Sequence, residues 1–186
     1  TFGKLNEIPY ADVFDVTKKN SCKELVFQIQ YKQGDQNYSS SIARNYQARG
    51  ETINSRYNST GAGEVAKLDL IKDYEQDDIR KGFSVKFAAN TQVNDWFVTK
   101  FRDNSDAAGT NGWGGNDWIL IRYADVMLLL AEAKYHLGKD AEAIALLDQV
   151  RERAGLPSYA TSMLNTTYRS KYPTLKEAIL HERRVE

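Results

Sequence analysis

Aromatic side chains in polar, irregular stretches are the residues of this chain best suited to recognise a ligand. Trp113 lies in the segment Gly-Thr-Asn-Gly-Trp-Gly-Gly-Asn, which ends at Asn116 and carries no periodic apolar pattern that would bury an indole. An indole face stacks on the C–H face of a sugar ring, while amide groups such as that of Asn116 hydrogen-bond hydroxyl groups. The flanking glycines favour close approach of a ligand. We therefore predict that Trp113 and Asn116 bind a ligand, the alternative for Trp113 being a place in the core beneath its own loop.

Two further aromatic residues, Trp96 and Tyr57, are candidates for the same binding role. Trp96 begins the strand-like run Trp-Phe-Val-Thr-Lys-Phe, a pattern in which an aromatic side chain often belongs to the core. Tyr57 lies among Asn54, Arg56 and Asn58, which are the polar neighbours that a sugar or a peptide requires. The alternative for Tyr57 is a structural role in a turn, since asparagine is common there.

The sequence lacks the motifs that commonly mark catalytic or metal-binding proteins. It contains no phosphate-binding glycine loop, no His-Glu-x-x-His, no paired cysteines and no Gly-x-Ser-x-Gly. Cys22 is the only cysteine, so we predict neither an internal disulfide nor a thiolate cluster, and expect a partly buried side chain. A glycosidase requires two carboxylates at a defined distance in space, and the sequence, with its 25 acidic residues, does not give that distance. We predict a protein that is not an enzyme and that holds no cofactor and no metal.

Isolated histidines and one acidic turn are predicted to have structural roles. His136 and His181 each stand alone on a predicted helix, where we expect surface or capping positions. The stretch from Asp103 to Asp106 could offer oxygen ligands to a hard cation, but it lacks the glycine and the terminal glutamate of a calcium loop. We expect a solvated turn there.

The composition indicates a folded protein without general affinity for polyanions. Of the 186 residues, 41% are apolar and 11% are aromatic, which is enough to bury a core. The 25 basic residues balance 25 acidic ones, so no net charge attracts nucleic acid or an anionic membrane. No apolar run is long enough to span a bilayer.

The elements that position these residues include a helical hairpin in the last third of the chain. From Trp118 onward the sequence is predicted to be helical, with antiparallel helices over residues 122–136 and 140–154. Gly138 is expected to adopt a left-handed conformation at the turn, and Asp140 to cap the second helix. Apolar residues surround most of the first helix, so we expect it to be buried. The predicted contacts between the two helices are made by Leu128, Ala131, Ala143 and Leu147.

The remainder of the chain is predicted to contain only short elements. Residues 10–16 are typical of a short helix, and residues 25–31 alternate like a strand with Leu25, Phe27 and Ile29 on one face. The polar region 40–115 contains one helix-like stretch, 68–74, and two strand-like stretches, 83–87 and 96–101. Thr174 and Glu177 form a capping box before a final amphipathic helix.

Three stretches of the helical region resemble a known family. Residues 122–126 read Arg-Tyr-Ala-Asp-Val, residues 150–157 read Val-Arg-Glu-Arg-Ala-Gly-Leu-Pro, and residues 179–186 read Ile-Leu-His-Glu-Arg-Arg-Val-Glu. Together they resemble the SusD-like (RagB-like) nutrient-binding proteins of the outer membrane of Bacteroidetes. Earlier stretches such as Glu-Leu-Val-Phe-Gln-Ile at 24–29 follow the order of the family, so the resemblance spans almost the whole chain.

The resemblance implies a mainly α, SusD-like fold. In that fold, a degenerate tetratricopeptide-type helical hairpin is joined to a long irregular loop region with a few short strands. The spacing in the hairpin is similar to a tetratricopeptide repeat, although Val150 stands where that repeat prefers a small residue. The expected organisation is a single SusD-like C-terminal region, 1–186, of a longer protein, with ligand-side loops in 1–115 and helices in 116–186.

The resemblance also implies a function. Members of the family are non-catalytic, lipid-anchored proteins of the cell surface that capture oligosaccharides, or in some cases peptides, and deliver them to a SusC-like TonB-dependent transporter. Their ligand site lies in loops, including the one before the Arg-Tyr-Ala-Asp helix, which agrees with Trp113 and Trp96 as candidates. The resemblance implies contact with a membrane only through a lipid anchor outside this chain. Two other functions stay open: a tetratricopeptide-like scaffold that binds protein, and a glycan hydrolase.

Overall fold

The computed structural model describes residues 4–53, 57–58 and 65–186, and within them the chain is mainly helical, as predicted. Two short 3-10 segments, Leu5–Glu7 and Tyr10–Phe14, come first. The strands are β1 (Leu25–Ile29), β2 (Thr52–Ile53), β3 (Tyr57–Asn58), β4 (Val85–Ala89), β5 (Asn94–Val98) and β6 (Trp118–Arg122). The helices are α1 (Ile42–Asn45), α2 (Leu68–Asp73), α3 (Ile79–Ser84), α4 (Asp106–Asn111), α5 (Tyr123–His136), α6 (Asp140–Arg153), α7 (Tyr159–Ser162), α8 (Thr166–Lys171) and α9 (Leu175–Val185). The described strands pair two by two, as β1–β6, β2–β3 and β4–β5, all antiparallel.

The predicted hairpin of α5 and α6 is confirmed, and it forms the main hydrophobic core. The four residues predicted to join the two helices are fully buried: Leu128, Ala131, Ala143 and Leu147. Ile179 of α9 completes the same cluster. Gly138 has a φ of 69°, as expected for the left-handed turn. Burying one leucine side chain contributes about 2 kcal/mol, so this cluster is a main source of the stability of the hairpin.

The helical region begins later than predicted, because residues 118–122 form strand β6. In the pairing with β1, Phe27 lies opposite Ile121 and Ile29 lies opposite Trp118. A short apolar run fits both a strand and a buried helix, and periodicity alone does not distinguish them. Here the pairing with β1 makes residues 118–122 a strand. Helix α5 then begins at Tyr123, whose backbone N–H donates to the carbonyl oxygen of Glu24 at 2.8 Å.

One face of α5 and both strands of the β1–β6 ribbon expose large apolar side chains in the part of the chain that the structure describes. The expectation that α5 is buried on nearly all sides is therefore wrong for this face. The large apolar residues concerned are each 39–57% exposed, and they are Phe27 and Ile29 of β1 and Val126, Leu129 and Leu130 of α5. Register shifts on either side of Phe27 break the predicted alternation of β1.

Of three smaller predictions about where elements begin, one is confirmed and two are wrong. The capping box of α9 is confirmed, since Thr174 Oγ1 accepts from the N–H of Glu177 at 3.3 Å and the Glu177 carboxylate accepts from the N–H of Thr174 at 3.0 Å. The predicted cap at Asp140 is wrong, because Lys139 holds the N-cap position without a side-chain bond. The strand predicted to begin at Phe83 begins at Val85, because Phe83 belongs to α3.

A buried network of ion pairs joins the hairpin to the loop-rich half. Glu24, just before β1, pairs with Arg122 of β6 at 2.9 Å and with Arg153 of α6. Glu186, next to the end of α9, pairs with Arg122 at 2.7 Å and with Arg80 of α3 at 2.9 Å. Burial raises the pKa of Glu186, but the surrounding arginines outweigh this effect and lower its pKa to about 2. Every charge in this set has an opposite partner, and removing one partner from such a set is costly.

Candidate functional site

The Trp113 loop, residues 112–117, connects α4 to β6 and carries the main predicted ligand-binding residue. Helix α4 begins after Ser105, whose hydroxyl accepts from the N–H of Ala108 at 3.2 Å. It ends at Gly112, which has a φ of 72°. This left-handed residue turns the chain away from the helix, and the following Trp113 is left half-buried.

The Trp113 loop is fastened to a second segment, residues 33–40, by backbone hydrogen bonds. The carbonyl oxygen of Trp113 accepts from Gly34 at 2.9 Å, and Gly114 and Ser40 exchange bonds of 2.7 and 3.1 Å. A Cβ on Gly115 would lie 2.8 Å from the Cβ of Gln33. The glycine is therefore required for contact between two segments of the protein. That the glycines beside Trp113 also allow close approach of a ligand stays a prediction.

Asp103 is buried, and its hydrogen bonds hold this loop in place. The predicted solvated turn is therefore wrong at this residue. Its carboxylate accepts from Gln33 Nε2 at 2.8 and 2.9 Å, from the N–H of Ser105 at 3.0 Å and from the N–H of Gly115 at 2.8 Å. These bonds use both oxygens for protein contacts. Among the described residues, no group of three or more His, Cys, Asp or Glu could hold a metal ion.

Asp117 holds the other end of the loop. It is buried, and Oδ1 accepts from Lys19 Nζ at 2.7 Å and from the N–H of Tyr31 at 2.8 Å. Lys19 also donates to the carbonyl oxygen of Gly115 at 2.9 Å. Two buried carboxylates, Asp103 and Asp117, thus fix the path of the backbone that follows Trp113.

Asn116 has an interior position in the same loop. Its side chain is 3% exposed, and Nδ2 donates to the carbonyl oxygen of Arg102 at 3.2 Å. Burial leaves the amide no open surface for a ligand in this conformation. Its ligand-binding role stays a prediction, and the described geometry favours a structural role in closing the loop.

Trp96 lies on a different surface, the β4–β5 hairpin. It is partly buried against the cluster that contains Ile71 and Tyr74. On the same face of the hairpin its ring meets the exposed ring of Phe87 edge to face, with centroids 5.5 Å apart. Lys81 Nζ lies 6.0 Å from the centre of the Trp96 ring. Among the described residues, no ring contact joins Trp96 to Trp113, so the structure does not bring the two into one aromatic platform.

A cleft of about 270 Å³ lies beside this hairpin and was not predicted from the sequence. Phe87 and Asn90 line it together with the ion pair of Arg102 and Glu51, whose atoms are 2.8 Å apart. Phe87 belongs to an alternating stretch that the sequence did identify, but nothing local to Arg102 indicates that it faces a cleft.

Tyr57 belongs to strand β3, where Tyr57 pairs with Ile53. Strand β3 packs next to α4, the helix that leads to Trp113. The side chain of Tyr57 and its neighbours Asn54 and Arg56 lie outside the described residues.

The two histidines and the cysteine occupy different environments. Cys22 is partly buried and free, as predicted, and burial raises the pKa of its thiol. His136 is at the C-terminal end of α5. His181 is 4% exposed, so the predicted surface position is wrong for this residue.

Comparison with known proteins gives consistent results over the whole chain. The model of the SusD family (SusD and RagB) matches residues 79–186. The SusD-like protein P2 of Formosa agariphila is 27% identical over an alignment of 204 positions, gaps included, which covers 97% of this chain and 40% of that protein. The SusD-like protein P38 of the same organism is 34% identical over 100 residues, or 53% of this chain and 19% of that protein. The chain therefore spans less than half the length of the curated relatives it matches.

Solved structures show the same fold at lower identity. The surface glycan-binding protein A of Bacteroides uniformis has a TM-score of 0.71 at 20% identity, over 95% of this chain and 37% of that one. The surface glycan-binding protein A of Bacteroides thetaiotaomicron, solved in complex with laminarihexaose, has a TM-score of 0.67 at 18% identity, over 96% of this chain and 43% of that one. No helix among the described residues is long and apolar enough to cross a membrane.

Proposed function

The chain belongs to the SusD family, and on this premise we propose that it is part of a cell-surface protein that binds oligosaccharides without cleaving them. The Trp113 loop is the element we assign to ligand contact. The laminarihexaose complex of a protein with the same fold supports the ligand class. A peptide ligand is the alternative.

The observation that carries this proposal is the fixed path of the backbone that follows a half-buried indole. Asp103 and Asp117 hold the backbone through bonds to Gln33, Gly115, Lys19 and Tyr31. A ring that is already positioned loses little conformational entropy when a sugar stacks on it. Stacking on an aromatic face contributes about 1 kcal/mol.

The same bonds support a binding rather than a hydrolytic role for this loop. A glycosidase requires one carboxyl group to donate a proton and a second to act as base or nucleophile. Asp103 and Asp117 are buried and already bonded to the protein, so neither is available for this chemistry.

We further propose that the complete protein delivers its ligand to a SusC-like TonB-dependent transporter and is held at the outer membrane by a lipid anchor outside this chain. Family membership supports both statements. The exposed apolar face of α5 and the β1–β6 ribbon offers a surface on which further protein can pack.

Calorimetric titration with laminarihexaose and a panel of other oligosaccharides tests the binding role. Trp113→Ala is expected to weaken binding about fivefold. Trp118→Ala is the matched control, because Trp118 is an exposed tryptophan on β6 outside the loop. We expect the affinity of this variant to stay within twofold of that of the unsubstituted protein. If the Trp113→Ala variant binds with unchanged affinity, the ligand site lies at Trp96 or Tyr57 instead. Released sugar after long incubation points to a hydrolase, and binding to a protein with no glycan binding points to a scaffold.

A further inference from the structure

The cleft beside the β4–β5 hairpin is connected to the Trp113 loop through one residue, Arg102. We call it the Arg102 cleft. Its volume, about 270 Å³, is close to the lower end of the range of about 300–1,000 Å³ that is typical of small-molecule sites. Arg102 lines the cleft, and its carbonyl oxygen accepts from Asn116 Nδ2 of the Trp113 loop at 3.2 Å. The cleft and the loop are therefore neighbouring parts of one surface.

The shape of the Arg102 cleft is fixed by contact between two segments of the chain. Two apolar residues that line it, Phe97 and Ala48, are 2% and 1% exposed. Asn90 Nδ2 donates to the carbonyl oxygen of Arg49 at 3.0 Å, which holds the segment of Ala48 against the hairpin. At Gly50, which has a φ of 80°, an added Cβ would lie 3.2 Å from the Asn90 side chain. The cleft therefore has an apolar floor that exists before any ligand arrives.

Lys86 is a cationic group of this cleft that no protein carboxylate neutralises. It lies opposite Phe97 in the register of the hairpin, so the two side chains leave the sheet on the same side. Lys86 is exposed and makes no hydrogen bond or ion pair in the part of the chain that the structure describes. Asp95 shares this side of the hairpin, but it neither lines the cleft nor pairs with Lys86. An ammonium group is thus available to a ligand.

Arg102 offers directed N–H donors to the same cleft. Its Nη2 donates to Glu51 Oε2 at 2.8 Å, and that oxygen also accepts from the N–H of Ala48 at 3.1 Å. Its Nη1 makes only a long bond, 3.4 Å, to the carbonyl oxygen of Ala43. A guanidinium carries five N–H donors, so several stay open to a ligand. Burial lowers the pKa of Arg102, and Glu51 offsets this only in part, so a second anion would stabilise the guanidinium.

The two segments that form the cleft are basic, although the whole chain is neutral. The chain has 25 basic and 25 acidic residues. Residues 41–51 and 85–102 contain two acidic residues, Glu51 and Asp95, and five basic ones, Arg44, Arg49, Lys86, Lys100 and Arg102. Lys100 donates to the carbonyl oxygen of Glu186 at 2.6 Å and does not line the cleft, yet the basic residues remain in excess without it. A cleft with an excess of one charge attracts ligands of the opposite charge.

We propose that the Arg102 cleft binds the anionic substituent of an acidic sugar unit, a carboxylate or a sulfate, through the ammonium group of Lys86 and the open N–H groups of Arg102. Bonds from cationic donors to such anions are roughly twice as strong as bonds between neutral groups. The protein therefore prefers acidic oligosaccharides to neutral ones. This inference rests on the proposed function, because it specifies which oligosaccharides the protein takes.

Calorimetric titration with matched pairs of hexasaccharides tests this preference. Hexagalacturonate is compared with its neutral methyl ester, and a κ-carrageenan hexasaccharide with its desulfated form, so carboxylate and sulfate are tested separately. We expect the acidic member of at least one pair to bind about tenfold more tightly at low salt, the effect of one charge-assisted hydrogen bond. The preference should shrink in about 0.5 M NaCl, because salt screens a partly exposed contact.

Variants of Lys86 show whether the cleft causes the preference. Lys86→Gln, at an exposed position that folding does not require, should weaken binding of the acidic member about fivefold and leave the neutral member within about twofold. Lys86→Arg keeps the charge and should keep the preference. Lys176→Gln removes the charge of an exposed lysine on α9 and is the matched control.

The outcomes separate this inference from the proposed function. Equal affinity for the two members of both pairs overturns the inference, and so does a preference that Lys86→Gln and Lys176→Gln reduce equally. Either result leaves the proposed function intact when laminarihexaose or another neutral probe binds. If no probe binds, acidic or neutral, both proposals are overturned.

Discussion

The helical hairpin and the Trp113 loop are stabilised by different interactions. In the hairpin, apolar side chains that recur every three or four residues pack into a core around Leu128 and Leu147. At the loop, buried carboxylates bond groups from segments far apart in sequence, as Asp103 does with Nε2 of Gln33 and Asp117 with the N–H of Tyr31. The difference shows that the path of the Trp113 loop depends on specific polar bonds, whereas the hairpin depends on apolar packing.

A charge in the hairpin core should have the largest effect. Leu147→Asp buries an unpaired carboxylate, and we expect the free energy of unfolding to fall by about 4 kcal/mol or more. Ala145→Asp, at an exposed position of the same helix, is the control and should change it by less than about 1 kcal/mol. Urea unfolding monitored by circular dichroism measures both. Equal stability of the two variants would show that α6 does not pack as described.

Breaking the buried ion network around Glu24 and Glu186 should have the next largest effect. Glu24→Ala leaves Arg122 and Arg153 without one partner, and we expect a loss of about 3 kcal/mol in the same unfolding experiment. Glu7→Ala removes an exposed carboxylate and is the control. A loss no greater than that of the control would mean that the network does not connect the hairpin to the loops.

Acid should weaken the same network without any substitution. The folded-state pKa of Glu186, about 2, lies below its ordinary value of 4.5, so its stabilising contribution is present above pH 4.5 and is lost as the pH falls toward 2. We expect stability to decrease by about 2–3 kcal/mol across this window. Urea midpoints measured between pH 6 and pH 2.5 test this, and a constant midpoint would contradict it.

A substitution inside the loop should have a smaller and more local effect. Asp103→Asn weakens the bonds to Gly115 and Ser105, and we expect a loss of about 1–2 kcal/mol. Hydrogen exchange of the Gly115 amide should accelerate while amides of α5 stay protected. Asp140→Asn, exposed at the start of α6, is the control. Uniform acceleration across both regions would mean that the loop and the hairpin unfold as one unit.

The sequence predicted the hairpin well because its core is formed by apolar residues that recur at helical spacing within each helix. Leu128, Ala131, Ala143 and Leu147 were identified as the helix contacts, and all four are buried. The same reasoning assigned Trp118 to the helix, because a short apolar run does not reveal its partner strand. Only the pairing of β6 with β1 resolves that ambiguity.

The loop was predicted much less well, because its interactions join residues distant in sequence. Gln33 and Asp103 lie 70 positions apart, and no local pattern indicates that they bond. At Gly115 the group that approaches closely is the segment that contains Gln33, which no local pattern predicts. The ligand-binding roles of Trp113, Trp96, Tyr57 and Asn116 remain predictions.

Fluorine NMR of the chain labelled with 5-fluorotryptophan tests the central proposal most directly. The chain has three tryptophans, so Trp96, Trp113 and Trp118 each give one resonance that a single substitution assigns. On titration with an oligosaccharide that binds by calorimetry, we expect the Trp113 resonance to shift in proportion to occupancy while that of Trp118 stays fixed. A Trp113 resonance that does not move at saturation would contradict the assignment of this loop to ligand binding.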